Sequence, residues 1–260
     1  MSWALKRRLI VLAVVTVLLL LFAVFVVYPY FNKPANCTDN KQNGTETGVD
    51  CGGKCKIACI FEADKISILW SRTFQVVEGR YNAVAYVENK NKNKAIERIN
   101  YKFRFADKDN IYIGEREGST TIPPAGKFAI FEPAIDVGNS IPVYTNFEFT
   151  QTPIWVNIPD EKIDQLQLTV SSIKLEDDGT GPRLSAEIKN NSFLNVQEVG
   201  VVAIVYDSMG NAINASRTYL DSLAPDSVEA LNFTWPEAFS RPVVAKEIIP
   251  LYNIFSTKLK

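Results

Sequence analysis

Two kinds of hydrophobic pattern divide this chain. Leu9 to Phe31 is a run of 23 residues without a charge, dominated by Val, Leu, Phe and Ala, which predicts a helix long enough to cross a hydrocarbon core of roughly 30 Å. Farther on, Ile99, Tyr101, Phe103 and Phe105 alternate with Asn100, Lys102, Arg104 and Ala106, the period of two of a half-buried strand. Leu184, Ala186 and Ile188 alternate in the same way against Ser185, Glu187 and Lys189. Turn chemistry interrupts these segments at Glu88 to Asn93, Asp107 to Asn110, Pro123 to Gly126, Asp177 to Pro182, Asp207 to Asn211 and Ala224 to Asp226, so the region beyond the apolar run reads as β structure, with no convincing helical period.

The apolar run reads as a retained anchor. A secretory signal would have an apolar region of about 7 to 15 residues followed by an Ala-x-Ala-like site, and nothing of that kind follows Val26. Lys6, Arg7 and Arg8 stand directly before the run and Tyr28, Tyr30 and Phe31 close it. Basic residues on the cytoplasmic side and aromatic residues at the interface place residues 1–8 inside and the remainder outside. The expected location is therefore the cytoplasmic membrane, single-pass, with the bilayer contacted through residues 9–31.

An internal repeat organises the region outside. Tyr81 to Asn89 corresponds to Pro182 to Asn190, Phe103 to Asp107 corresponds to Ala203 to Asp207, and Pro124 corresponds to Pro225, at an offset of 100 or 101 residues. Two copies of one fold of about 95 residues follow. That length with short alternating strands suits an immunoglobulin-like β-sandwich. The predicted order is a transmembrane helix, a Cys-rich element over 32–60, one sandwich over 61–158 and a second over 159–260. Pro153 to Lys162 is the expected linker, and one larger β domain is the competing arrangement.

All four cysteines, Cys37, Cys51, Cys55 and Cys59, fall between the run and the first strand pattern. Outside the cytoplasm they predict disulfides of undetermined pairing, because Thr38 to Asp50 has too few apolar side chains to fold by burial. Zinc is the alternative for such spacing. Asp39, Asn43, Glu46 and Asp50, with Gly44 at the sixth position of a twelve-residue span, suggest a calcium loop. Lys41 at the third position and Asp50 in place of a closing Glu depart from that pattern. Otherwise these carboxylates would hold neighbouring backbone amides. No other cofactor is implied.

Composition narrows the function. The chain has no His, which excludes Ser-His-Asp and Cys-His catalytic units and His-ligated metals. Of 28 Lys and Arg, three precede the apolar run, leaving 25 against 29 Asp and Glu, a balance that gives no reason to expect nucleic acid. Glu115 to Glu117 and Glu176 to Asp178 read as solvated charge and a turn. Trp70, Trp155 and Trp235 read as core before they read as a ligand platform. Asn43, Asn214 and Asn232 begin N-x-Ser/Thr acceptor patterns. No catalytic residue is assigned, and the chain reads as a non-enzyme.

Two resemblances add to this. Cys37-Thr-Asp39 through Asn43-Gly44-Thr-Glu46 to Asp50-Cys51-Gly-Gly-Lys-Cys55 is similar to a Cys-rich element of exported bacterial envelope proteins, of the form C-x-D-x3-N-G-x-E-x3-D-C-G-G-x-C, although Cys59 stands one position farther on than that element would place it. Ala203-Ile204-Val205-Tyr206-Asp207, with Phe103 to Asp107 as a looser version, resembles the FxLYD family of small β-sandwich domains. Both imply extracytoplasmic display without a reaction. The expected function is a membrane-anchored envelope protein displaying two β-sandwich domains to an unidentified envelope protein or glycan. The alternative is an accessory or scaffold subunit of a larger envelope machine for secretion, pilus or cell-wall assembly.

Overall fold

The computed structural model describes residues 3–28, 35–177 and 181–257. The chain divides into two compact units, Met1–Asp50 and Cys51–Lys260. In the first unit, α1 (Trp3–Phe22) continues as a π-helical turn over Ala23–Val27. The combined 25-residue helix is apolar enough to cross a membrane, and none of it is buried in the protein. It starts ahead of the expected Leu9 and takes in Lys6, Arg7 and Arg8, because Lys and Arg are good helix formers. The Arg7 guanidinium lies over the Trp3 ring at 4.9 Å. Tyr30 and Phe31, the expected interfacial aromatics, lie outside the described residues.

Two immunoglobulin-like sandwiches make up the second unit. The first pairs a sheet of order β1 (Ser67–Val77), β2 (Arg80–Asn89), β5 (Gly126–Asp136) with a sheet of order β4 (Tyr112–Ile122), β3 (Lys94–Ala106), β6 (Tyr144–Phe149), with β7 (Trp155–Asn157) also on β3. Alternation places the core as expected: Ile99, Tyr101, Phe103 and Phe105 face inward from β3 against Ala83, Ala85, Val87 and Ile130. The expected linker is instead built into the fold. β7 continues the β3 sheet, and a six-residue helix, α2 (Asp160–Gln165), follows Pro159, with Asp160 and Glu161 favourably placed in its first turn.

The second sandwich repeats β1 to β6 of the first, strand for strand, without a counterpart of β7 among the described residues. Its sheets are β8 (Leu168–Glu176), β9 (Arg183–Asn190), β12 (Val228–Thr234), and β11 (Ala212–Leu223), β10 (Val196–Tyr206), β13 (Ala245–Leu251), in the orders β12-β9-β8 and β11-β10-β13. Leu184, Ala186 and Ile188 face Val199, Val201, Ala203 and Val205 across its core.

The two sandwiches share a third core. Phe74, Val84, Tyr86, Ala129 and Phe131, on the outer face of β1-β2-β5, pack against Val202, Ile204, Ala212, Ala215 and Ile249, on the outer face of β11-β10-β13. The result is four stacked sheets. Arg72 of β1 donates to the Ala212 carbonyl at 3.1 Å, whereas Arg217, farther along β11, donates to the Phe131 carbonyl of β5 at 3.2 Å. Crossing one sheet therefore follows the strands of the other, so the facing strands cross steeply. The joined faces belong to non-equivalent sheets of the two copies. At repeat-equivalent positions the outer faces left free are polar: Lys102 and Arg104 stand where the second copy has Val202 and Ile204, and Ser185 and Glu187 where the first has Val84 and Tyr86.

Candidate interaction surfaces

The Cys-rich residues serve structure. All four cysteines are disulfide-bonded, with Cys51 joined to Cys59, so no thiolate remains for the zinc alternative. Gly52 and Gly53, both at positive φ, turn the chain inside this bridge. Ile57 then pairs with Val156 of β7 and Ala58 enters the first core, so Cys51–Cys59 belongs to the sandwich more than to a free stalk.

In the first unit, the Asp50 carboxylate accepts the backbone N–H of Asp39 at 2.9 Å and of Asn40 at 2.9 Å. Asp39 accepts the Lys41 N–H and the Asn43 side-chain amide, and Glu46 accepts the Asn43 N–H at 3.1 Å. Asp39, Glu46 and Asp50, three of the four expected calcium ligands, thus accept amides of their own loop, whereas the side-chain oxygen of the fourth, Asn43, is buried without a hydrogen-bond partner among the described residues.

The residues that defined the repeat turn out to be equivalent fastenings. Buried Asn89 donates to the carbonyls of Lys94 and Pro123 and accepts the Asn91 N–H. Asn190 donates to those of Leu194, Leu223 and Ala224 and accepts the Ser192 N–H. Asp107 caps the β3–β4 turn by accepting the N–H of Asp109 and Ile111, and Asp207 caps the β10–β11 turn through Met209 and Asn211. Asp207 also takes an ion pair from Arg241 at 2.8 Å. The Asn211 amide, with Arg241 and Met209, holds its carboxyl below the usual range against the opposing effect of burial.

Two polar groups fasten the layers together. Tyr101 donates to Glu132 at 2.6 Å and Arg116 meets the same carboxylate at 3.0 Å, joining the two sheets of the first sandwich. Gly118, opposite Tyr101, leaves room for this, since a Cβ there would stand 2.5 Å from the phenol oxygen. Between sandwiches, Tyr86 and Tyr206 donate to the two oxygens of Glu247 at 2.6 and 2.7 Å. Burial and then this carboxylate push both phenols far above their ordinary range.

Trp155 and Trp235 are buried and Trp70 packs on Tyr86 at 5.4 Å, so the tryptophans form no platform. Asn232 is exposed on β12. Asn214 lines a crevice of about 280 Å³ between the sandwiches with Gln75, Asn82, Ser240 and Glu237. Asp178 lies outside the described residues.

A surface that the sequence reading missed lies at the Ala106 end of the first sandwich. Tyr112 and Tyr144 flank Ala106 on the strands to either side, and Ile111, Ile141 and Val143 adjoin them, tied by the bonds Asp107 N–H to Ile111 O and Val143 N–H to Ala106 O. All five are more than half exposed, Ile141 at 66% and Tyr112 at 61%. Together they present on the order of 600 Å² of apolar surface, the upper end of what a monomer shows. The patch lies roughly 40 Å along β3 from Lys94, where β7 and the Cys51–Cys59 segment attach. The signal for it was an Ile-Tyr-Ile run just outside a turn.

No family model and no curated protein matches the chain. Among solved structures it is similar to the transglutaminase of red sea bream, at 9% identity and a TM-score of 0.24, over 73% of this chain and 31% of that one. It is also similar to a β-glucuronidase of glycoside hydrolase family 2, at 9% identity and a TM-score of 0.21, over 67% and 24%. The chain spans less than a third of either structure.

Proposed function

We propose that this is a non-enzymatic envelope protein of the cytoplasmic membrane, with its N-terminus inside and its sandwiches outside, and that the patch around Tyr112 and Tyr144 contacts another protein. This rests chiefly on the exposure of that patch on an otherwise polar sheet face, where Lys102 and Arg104 form ion pairs with Glu115, Glu117 and Glu148. Large contiguous apolar surface is costly to leave in water and usually marks a contact. Aliphatic Ile111, Ile141 and Val143 suit a protein better than a glycan, which favours the accessory or scaffold role over general display. The Cys-rich and FxLYD-like resemblances agree with an extracytoplasmic module of this kind.

The test uses the full chain in nanodiscs with a photo-cross-linking amino acid at position 112, mixed with solubilised envelope. Recovery of one protein in stoichiometric yield, lost in Ile141→Asp and Tyr144→Asp while the unfolding midpoint is unchanged, is the expected result. Equal cross-linking from position 187, on the far outer face, would overturn the assignment. Recovery of glycan alone would move the site to the glycan reading.

A further inference from the structure

The end of the first sandwich opposite the patch has a different chemistry. The polypeptide that follows α1 joins the sandwich at Cys51, and the segment after it displays Ile60 and Phe61, the latter 72% exposed, beside Ile154, 62% exposed. The two segments that carry them meet, since the Ala58 N–H donates to the Trp155 carbonyl at 2.9 Å and Ile60, Pro153 and Trp155 line one apolar crevice with Lys65. Around them stand exposed lysines. Lys54 and Lys56 flank Cys55, and the Lys56 carbonyl accepts the Asn157 N–H. Lys65 follows Asp64, which is held to Asn91 by reciprocal bonds of 2.8 Å, and Asn91 sits between Lys90 and Lys92. Glu62 and Asp64 lie among these lysines, with Asp160 and Glu161 beyond them; Glu62 is turned inward, accepting the Cys59 N–H.

Exposed aromatic and aliphatic side chains ringed by lysine are the chemistry of a bilayer interface. The apolar groups enter the headgroup boundary, while the ammonium groups meet anionic phosphates at the ends of long apolar stems. We propose that this end of the sandwich docks onto a lipid surface bearing anionic headgroups, the bilayer crossed by α1. The occupant follows from charge complementarity and from the tether, since a surface confined to a membrane by its own chain meets that membrane at high effective concentration. Docking sets the long axis of the first sandwich outward and turns the Tyr112–Tyr144 patch away from the bilayer. The inference rests on the proposal that α1 spans a membrane.

The full chain is reconstituted in nanodiscs of phosphatidylcholine alone or with one-third phosphatidylglycerol, with a photo-cross-linking amino acid at position 61 or, as control, 111. Resistance of the reconstituted chain to alkaline extraction reports separately on whether α1 spans. Lipid adducts are expected at position 61 and not at 111. They should be about tenfold more abundant with the anionic lipid, and reduced to the neutral-lipid level by Lys56→Glu, Lys65→Glu and Lys92→Glu together. Adducts at position 61 that ignore both lipid charge and lysine reversal would show proximity from the tether alone and overturn the proposal. Adducts absent at 61, or equal at 61 and 111, would overturn it as well. Circular dichroism of the triple variant establishes that it is folded.

Discussion

Asn190 shows how much of a sandwich hangs on one amide. Its two N–H donors serve three carbonyls and its oxygen takes the Ser192 N–H, with only the bond to Ala224 partly in reach of water. Asn190→Ala should cost about 2–4 kcal/mol in urea unfolding, because buried carbonyls lose their donor. Asn190→Asp should not restore it, since a carboxylate donates nothing. Trp235 is the opposite case: its indole N–H is buried without a partner among the described residues, so Trp235→Phe should be within about 1 kcal/mol of neutral or stabilising. For Asp207 the folded carboxyl titrates below the ordinary value of about 3.9. The stability it contributes is therefore fully present above that pH and is lost as pH falls through the lower folded value. Asp207→Asn should flatten the acid limb of the stability–pH curve below about pH 4, measured by thermal melts, and leave the neutral region with a constant offset.

At the level of strands, strict alternation revealed those buried on one face and a repeat offset revealed that there were two of each. β3 and β9 were legible for that reason, since water on one side enforces Lys102 and Arg104 or Ser185 and Glu187 between core residues. β2 and β10 carried a further signal. Ala83 to Val87 and Val201 to Val205 are unbroken apolar runs, as expected of strands covered on both faces, and they mark the third core. Pairing between sheets was not legible, because no local rule says which face meets which. Ile204→Ala, which deletes volume from that core, should destabilise by about 2–4 kcal/mol. Tyr86→Phe and Tyr206→Phe should prove non-additive in a double-mutant cycle, since both phenols share Glu247. The contact surfaces were the least legible, since a solvent-exposed isoleucine looks like a core residue until the strand partners are known.

The architecture of Cys51–Lys260 follows from joining two like sandwiches through unlike faces. Such a joint has no internal reason to stop at two. A third copy would find on the first the same kind of sheet that the first found on the second, and addition in that sense yields an open fibre where the rotation does not close. Lys102 and Arg104 at one end, and Ser185 and Glu187 at the other, act as terminators of this polymer. Replacing Lys102, Arg104, Glu115 and Glu148 by Val, Ile, Ala and Ile, together with Ser185→Val, Glu187→Tyr and Asn232→Phe, should make light scattering rise steeply with concentration, whereas opening one end alone should not. Polar side chains at positions where the other repeat carries core residues thus keep a finite protein from becoming an aggregate.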